Sequence, residues 1–252
     1  MQNIKETNIT NITNLRPRKQ VLLFVIGLVG LVLIEIVLQL LISSIAKIAS
    51  PSDYAYETFS NSPMSAMLLN GLSYLSLAII FIILAKDDTS ELFKSFKNWK
   101  CYVAAGIGFA AIISFNVIYN LILNAANVLV EDNANESALN SIVTSFPMLS
   151  LLIFGIIGPI CEELTYRVGL YSLVRRGNII FAFIVTMIVF TLIHFDFTSA
   201  TMTNELLNIP FYAFAAFVFT FLYEKFGLAA SVSAHVTNNL FSIGATILTI
   251  IK

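Results

Sequence analysis

Residues 147–174 read PMLSLLIFGIIGPICEELTYRVGLYSLV. The stretch is long enough to cross a bilayer, which takes roughly 20 mostly apolar residues. It nevertheless carries Glu162, Glu163 and Arg167 in its second half. An ionisable side chain at membrane depth costs about 2.5–3.5 kcal/mol on insertion and normally turns toward a bundle interior that holds a partner. A lone helix has no interior, so this segment demands neighbouring spans.

The sequence supplies them. Apolar stretches at 21–46, 64–85, 101–124, 178–196, 207–223 and 227–250 join 147–174 to give about seven spanning helices. The expected fold class is therefore all-α, a polytopic transmembrane helix bundle. Composition agrees: 58% of the 252 residues are hydrophobic and 12% are charged, at a mean hydropathy of +0.85. A soluble domain carries about 25% charged residues, so too few charges are present here to coat a water-facing globule. With Lys+Arg 14 against Asp+Glu 15, no basic face is available for nucleic acid. Cys101 and Cys161 lie in apolar stretches without metal-type spacing and read as small buried residues.

Residues 1–20 are expected to be a polar, flexible cytoplasmic tail with a short Asn-Ile-Thr duplication, and 21–252 a single membrane domain. The first apolar stretch follows Arg16, Arg18 and Lys19 but far exceeds the 7–15 apolar residues typical of a signal core, so it reads as an uncleaved anchor. Cytoplasmic loops are enriched in Lys and Arg. Lys5, Arg16, Arg18, Lys19, Lys86, Lys94, Lys97, Lys100, Arg175, Arg176 and Lys225 all fall on one face of an alternating seven-helix chain, whereas loops 51–63, 131–146 and 197–206 hold no Lys or Arg. That places the N-terminus in the cytoplasm. Lys47 and Lys252 are exceptions at helix ends, where they can snorkel.

The buried-charge pattern extends to other spans. Helix neighbours stand four apart, which pairs Glu163 with Arg167, Phe190 with His194 and His235 with Asn239. Glu162 is left without a cation, and both histidines of the chain lie in expected spans. By residue count Glu162 and His194 fall at similar depth. His235, only 8 residues beyond Gly227, fits only if its helix starts deep or the helix of Glu162 runs past the membrane. Pro159, which removes a backbone hydrogen bond and crowds the carbonyl of Gly155, is expected to kink the helix and open room beside Glu162.

One acid, two imidazoles and an amide make a minimal kit for amide hydrolysis. In that reading Glu162 is the general base, His194 positions the attacking water, and His235 and Asn239 donate to the oxyanion. Glu163 and Arg167 support them, Phe190 packs, and Cys161 has no base to make it a nucleophile. The same residues allow a second mechanism in which Glu162, His194 and His235 hold a zinc ion with water as fourth ligand. No cofactor is the favoured expectation, with zinc the alternative.

The ordered motifs Glu162-Glu163-x-x-x-Arg167, Phe190-x-x-x-His194 and His235-x-x-x-Asn239 on successive membrane helices resemble the CAAX protease and bacteriocin-processing (Abi) family of intramembrane proteases. The resemblance covers about 145–250 and leaves 21–124 outside. It implies a membrane-embedded endopeptidase related to the enzyme that trims prenylated C-terminal tails, in a family described both as metalloproteases and as glutamate-dependent hydrolases. The expected partners are a peptide or protein substrate and the lipid bilayer, in a bacterial cell membrane, with bacteriocin processing or self-immunity as the setting. The competing classes are a non-catalytic immunity or binding protein and a proton-coupled carrier, although the paired broken helices of a carrier are missing from the pattern. Glu35 falls outside the motifs, with contact to Arg167 or to substrate as its two readings.

Overall fold

The structure is a computed structural model that describes residues 13–250. Lys5, Lys252 and most of the Asn-Ile-Thr duplication lie outside the described residues. Within them the chain forms nine helices and no strand. These are α1 (Pro17–Ala49), α2 (Asp53–Ser60), α3 (Pro63–Leu92), α4 (Trp99–Ala125), α5 (Ala134–Ser145), α6 (Pro147–Val174), α7 (Ile179–Leu192), α8 (Met202–Phe226) and α9 (Leu228–Ile250).

All seven expected stretches are helical, and the protein is an all-α polytopic bundle. Five of the helices, α1, α3, α4, α6 and α8, are long and apolar enough to cross a membrane. The sixth stretch, α7, is apolar but shorter, and α9 is 23 residues long with a polar inner face that includes Ser231 and His235. Outward residues such as Leu33, Ile45, Ile107 and Ile180 are exposed, as lipid contact requires of a bundle with a polar interior.

Two helices lie in stretches expected to be loops. Ser52 caps α2 by accepting from Ala55 N, and Asn133 caps α5 by accepting from Glu136 N. Both are the side-chain N-caps that short polar helices need.

The basic segments meet at one end of the bundle. Lys19 pairs with Asp88, Arg175 forms a two-point ion pair with Glu224, and Arg176 donates to Leu15 O at 2.8 Å and to Gln20 at 3.1 Å. The polar head is not free where it adjoins α1: Thr13, Leu15 and Gln20 are buried, and α1 begins at Pro17 within the basic cluster. At the other end the loops without Lys or Arg interlock, with Asn204 donating to Glu131 and Ala134 N to Glu205.

Glycine permits close helix approach at Gly169, among other positions, and a sharp chain reversal at Gly227. Gly169 of α6 lies against α1, where a Cβ would fall 2.8 Å from Phe24 N, so no larger residue fits without moving α1. Gly227, at φ 88°, ends α8 in a conformation that L side chains rarely adopt and lets α9 turn back at once. The start of α9 is packed inside the bundle: Leu228, Ala229 and Ala230 are buried, and Ala229 N donates to Ser95 in the turn before α4.

Candidate functional site

The interior of α6 departs from regular α geometry twice, with π-helical turns at Ile153–Ile157 and Leu164–Tyr171 on either side of the acidic pair. Such widened turns recur at functional sites because they re-aim side chains and free backbone groups. The first lies immediately before Gly158-Pro159, where the kink is expected. Gly158 N–H bonds back to Ile153 O, and Pro159 has no N–H to offer the next carbonyl, that of Phe154. The side chain of Asn239 on α9 fills the gap, donating to Phe154 O at 3.1 Å.

Glu163 and Arg167 are fully buried and form an ion pair at 3.0 Å. Glu163 accepts two further bonds from α9, one from Ser231 and one from His235 Nδ1 at 2.8 Å. Arg167 has little else: its NH2 reaches Ala216 O at 3.4 Å and its Nε has no hydrogen-bond partner among the described residues. The rings of Phe190 and Phe219 face the guanidinium instead, at 4.7 and 5.5 Å. A cation is attracted to a ring face, more strongly where water is excluded. The expected supporting pair therefore lies together, with Phe190 packed against it. Glu35 is not among the partners of Arg167.

Glu162 faces the other way, into a cavity of about 220 Å³ that His194, His235 and Asn239 also line. Its Oε1 accepts from Tyr74 of α3 at 3.0 Å, and its Oε2 stands 3.7 Å from His235 Nε2. That gap is too long for a direct hydrogen bond, and a water to one side of it can contact both atoms. The four residues singled out from the sequence thus share one cavity.

Both imidazoles are fixed from behind. His235 Nδ1 contacts a carboxylate, and His194 Nδ1 lies 2.8 Å from Phe190 O. Neither acceptor has a hydrogen to give, so in each neutral ring Nδ1 carries the proton and Nε2 has the lone pair. His194 also differs from expectation in its placement. Helix α7 ends at Leu192, and His194 sits in the following turn, bonded to one of the last helical carbonyls and stacked on Tyr212 at 4.5 Å. The expected donation from His235 to an oxyanion is unavailable to the neutral ring, whose Nε2 is an acceptor. Asn239 has one amide hydrogen left after bonding Phe154 O.

Two Nε2 lone pairs and a carboxylate are zinc-type donors. Among the described residues, however, no three His, Cys, Asp or Glu side chains come together as a metal-binding group. The donor chemistry fits a metal that Glu162, His194 and His235 would hold, and no step below passes through one. Cys101 and Cys161 are both free and buried.

Sequence reading did not find Tyr74, Ser231, Tyr212 or Glu136, which also belong to the site or its back wall. For Glu136 a signal exists: Asn133-x-x-Glu136 is a helix N-terminal signature.

Comparison with known proteins bears on this region. Residues 144–241 match the family model described as type II CAAX prenyl endopeptidase, Rce1-like. Two relatives come from Lactococcus lactis subsp. lactis. The UPF0177 protein YvdC is 24% identical over 149 residues, 58% of this chain and 54% of that protein. The UPF0177 protein YxdF is 26% identical over 172 residues, 66% of this chain and 90% of that protein. The chain thus spans only about half the length of YvdC. No solved structure matches. The matched segment holds Glu162, Glu163, Arg167, His194, His235 and Asn239, and over residues 144–241 the chain is similar to the Rce1-like type II CAAX prenyl endopeptidases.

Proposed function

We propose that this protein is an intramembrane endopeptidase that hydrolyses a peptide bond with a water activated by Glu162. The observation that carries the reading is the shared cavity, in which Glu162 Oε2 and the lone pair of His235 Nε2 face each other across 3.7 Å. A water held beside both atoms gives one proton to the carboxylate while its oxygen adds to the substrate carbonyl. The carboxyl then passes that proton to the leaving amine as the tetrahedral intermediate collapses, so base and acid are the same group.

The remaining residues hold this arrangement. Tyr74 donates to the other oxygen of Glu162 and fixes the plane of the carboxylate. Glu163 and Arg167 set the tautomer of His235 from behind. His194, held by Phe190 O, offers a second acceptor for water. The free amide hydrogen of Asn239 is the proposed oxyanion donor, worth a few kcal/mol where water is excluded. The proposed setting is a bacterial cell membrane with the N-terminus in the cytoplasm, supported by the gathering of the basic segments at one end. Processing of a bacteriocin-type peptide, or immunity to one, is the biological context that the family resemblance suggests.

The test is purification in detergent and assay against quenched fluorogenic peptides, with Glu162→Gln, His194→Ala and His235→Ala alongside wild type. Cleavage by wild type and loss in all three folded variants supports the proposal. Variants that keep the wild-type cellular phenotype favour a binding role. Loss of activity in chelator and its return with zinc would replace the metal-free mechanism.

A further inference from the structure

The cavity around Glu162 has a second carboxylate that the hydrolytic reading does not use. Glu136, on α5, lines the same cavity, and no Lys or Arg is among the lining residues. Its position is built rather than incidental. Asn133 accepts from Glu136 N at 2.9 Å and donates to His194 O at 3.1 Å. Buried Glu205 accepts from Ala134 N at 2.9 Å and from Asp196 N at 3.1 Å, tying the start of α5 to the turn that carries His194. Tyr212, stacked on His194, donates to Glu136 Oε1 at 3.1 Å. Oε2 of Glu136 has no hydrogen-bond partner among the described residues.

Burial pushes the Glu136 carboxyl above the usual carboxylate range, and Asp132 nearby adds to the effect while no cation offsets it. A small cavity with one sign of charge concentrates ligands of the opposite sign. The cavity wall also carries the amides of Asn70, Asn135 and Asn238, among apolar side chains such as Leu139, Ile142 and Phe154. Such a surface offers a cation amide oxygens as well as carboxylates, and apolar packing for the aliphatic stem of a long side chain.

Building on the proteolytic reading, we infer that Glu136 is a specificity-determining residue that binds a cationic group of the substrate close to the bond that is cut. The cation is either a Lys or Arg side chain or the free ammonium at a peptide N-terminus. Tyr212 orients the acceptor and links it mechanically to His194, so occupancy by the correct cation settles the turn beside the reacting water.

The experiment compares quenched peptides of one sequence that differ at a single position: lysine, N-acetyl-lysine or glutamate, each with a free or an acetylated N-terminus. In wild type, kcat/KM for lysine over N-acetyl-lysine is expected to be about tenfold or more, the scale of a charge pair in a partly desolvated site. A preference for the free N-terminus instead assigns the cation to the ammonium. In Glu136→Gln the ratio is expected to fall toward one, and in Glu136→Lys to invert in favour of glutamate. A purely structural role for Glu136 lowers all substrates together and leaves the ratio unchanged, which overturns the inference. So does a wild type indifferent to both charges, even if no Glu136 variant folds. Binding of the same peptides, fluorescein-labelled, to Glu162→Gln protein separates this inference from the hydrolytic one. Charge-dependent binding without turnover by wild type keeps Glu136 as the recognition group while removing the protease reading, and charge-independent binding removes the inference alone.

Discussion

His235 Nδ1 lies 2.8 Å from Glu163 Oε1, and this contact makes an otherwise structural ion pair part of the site. Glu163 never reaches the cavity, yet by accepting from Nδ1 it leaves Nε2 as the face that His235 presents to Glu162. Carboxylates behind imidazoles fix the tautomer of the ring and hold its orientation. In the proposed mechanism the second acid of the motif thus acts through the imidazole, and the first acts directly.

Removing the two partners of that pair should have unequal costs. Without Arg167, Glu163 still accepts from Ser231 and His235; without Glu163, Arg167 keeps one long bond to Ala216 O and two ring faces. Breaking a buried pair costs about 3–5 kcal/mol because a charge is stranded. Glu163→Met should therefore lower the unfolding temperature in detergent more than Arg167→Met. The double variant should recover part of the loss, since a neutral pair of similar volume strands nothing. Equal single losses with no recovery would mean that the pair's charge is not what these variants lose.

Tyr74→Phe tests the one hydrogen bond that Glu162 receives from a side chain outside the three motifs. A hydrogen bond to a charged group contributes about 1.5–3 kcal/mol, so losing it should lower kcat about tenfold or more. KM and the unfolding temperature should change little, because the ring and its edge contact with Phe154 remain. A change confined to KM would place the Tyr74 hydroxyl against substrate rather than against Glu162.

Much of the fold was legible because a membrane leaves few choices: long apolar segments become helices, and the interior charges name the face they share. The same reasoning led from Glu162, His194, His235 and Asn239 to one cavity. Two kinds of feature were hidden. Helices α2 and α5 are short and polar, and their identity rests on the caps at Ser52 and Asn133 rather than on hydropathy. Tyr74 and Ser231 reach the site through helix packing, and a span rich in neighbouring Ser and Tyr residues does not mark which of them turns inward. His194 was legible as a member of the site but not as a residue beyond the end of its helix, because apolar residues continue through Ile193 while the helical ladder stops at Leu192.

The crossing of α1 over α6 should fail at a single methyl group. A Cβ at Gly169 meets Phe24 N at 2.8 Å and Phe24 Cα at 3.1 Å, both backbone atoms that cannot rotate away. Gly169→Ala should destabilise the protein by about 1–3 kcal/mol, the usual cost of overpacking. Disulfide cross-linking between cysteines introduced at Phe24 and Val168 would report the crossing directly and should weaken in the variant. Unchanged cross-linking and an unchanged unfolding temperature would show that α1 moves freely over α6.

Asn239 and Pro159 should be energetically coupled although they lie on different helices. Pro159 leaves Phe154 O without a backbone donor, and Asn239 supplies one from across the interface at 3.1 Å. Asn239→Ala alone should cost about 1–3 kcal/mol, the penalty of an unsatisfied buried carbonyl. In a Pro159→Ala background the backbone regains an N–H that can satisfy that carbonyl, so the same Asn239→Ala change should cost measurably less. The difference is the interaction energy of a double-mutant cycle, and for groups sharing one hydrogen-bond network it falls in the range of about 0.5–3 kcal/mol. Additive unfolding free energies in the four proteins would disconnect the amide from the proline. Asn239 would then be free to contribute both of its hydrogens to the cavity.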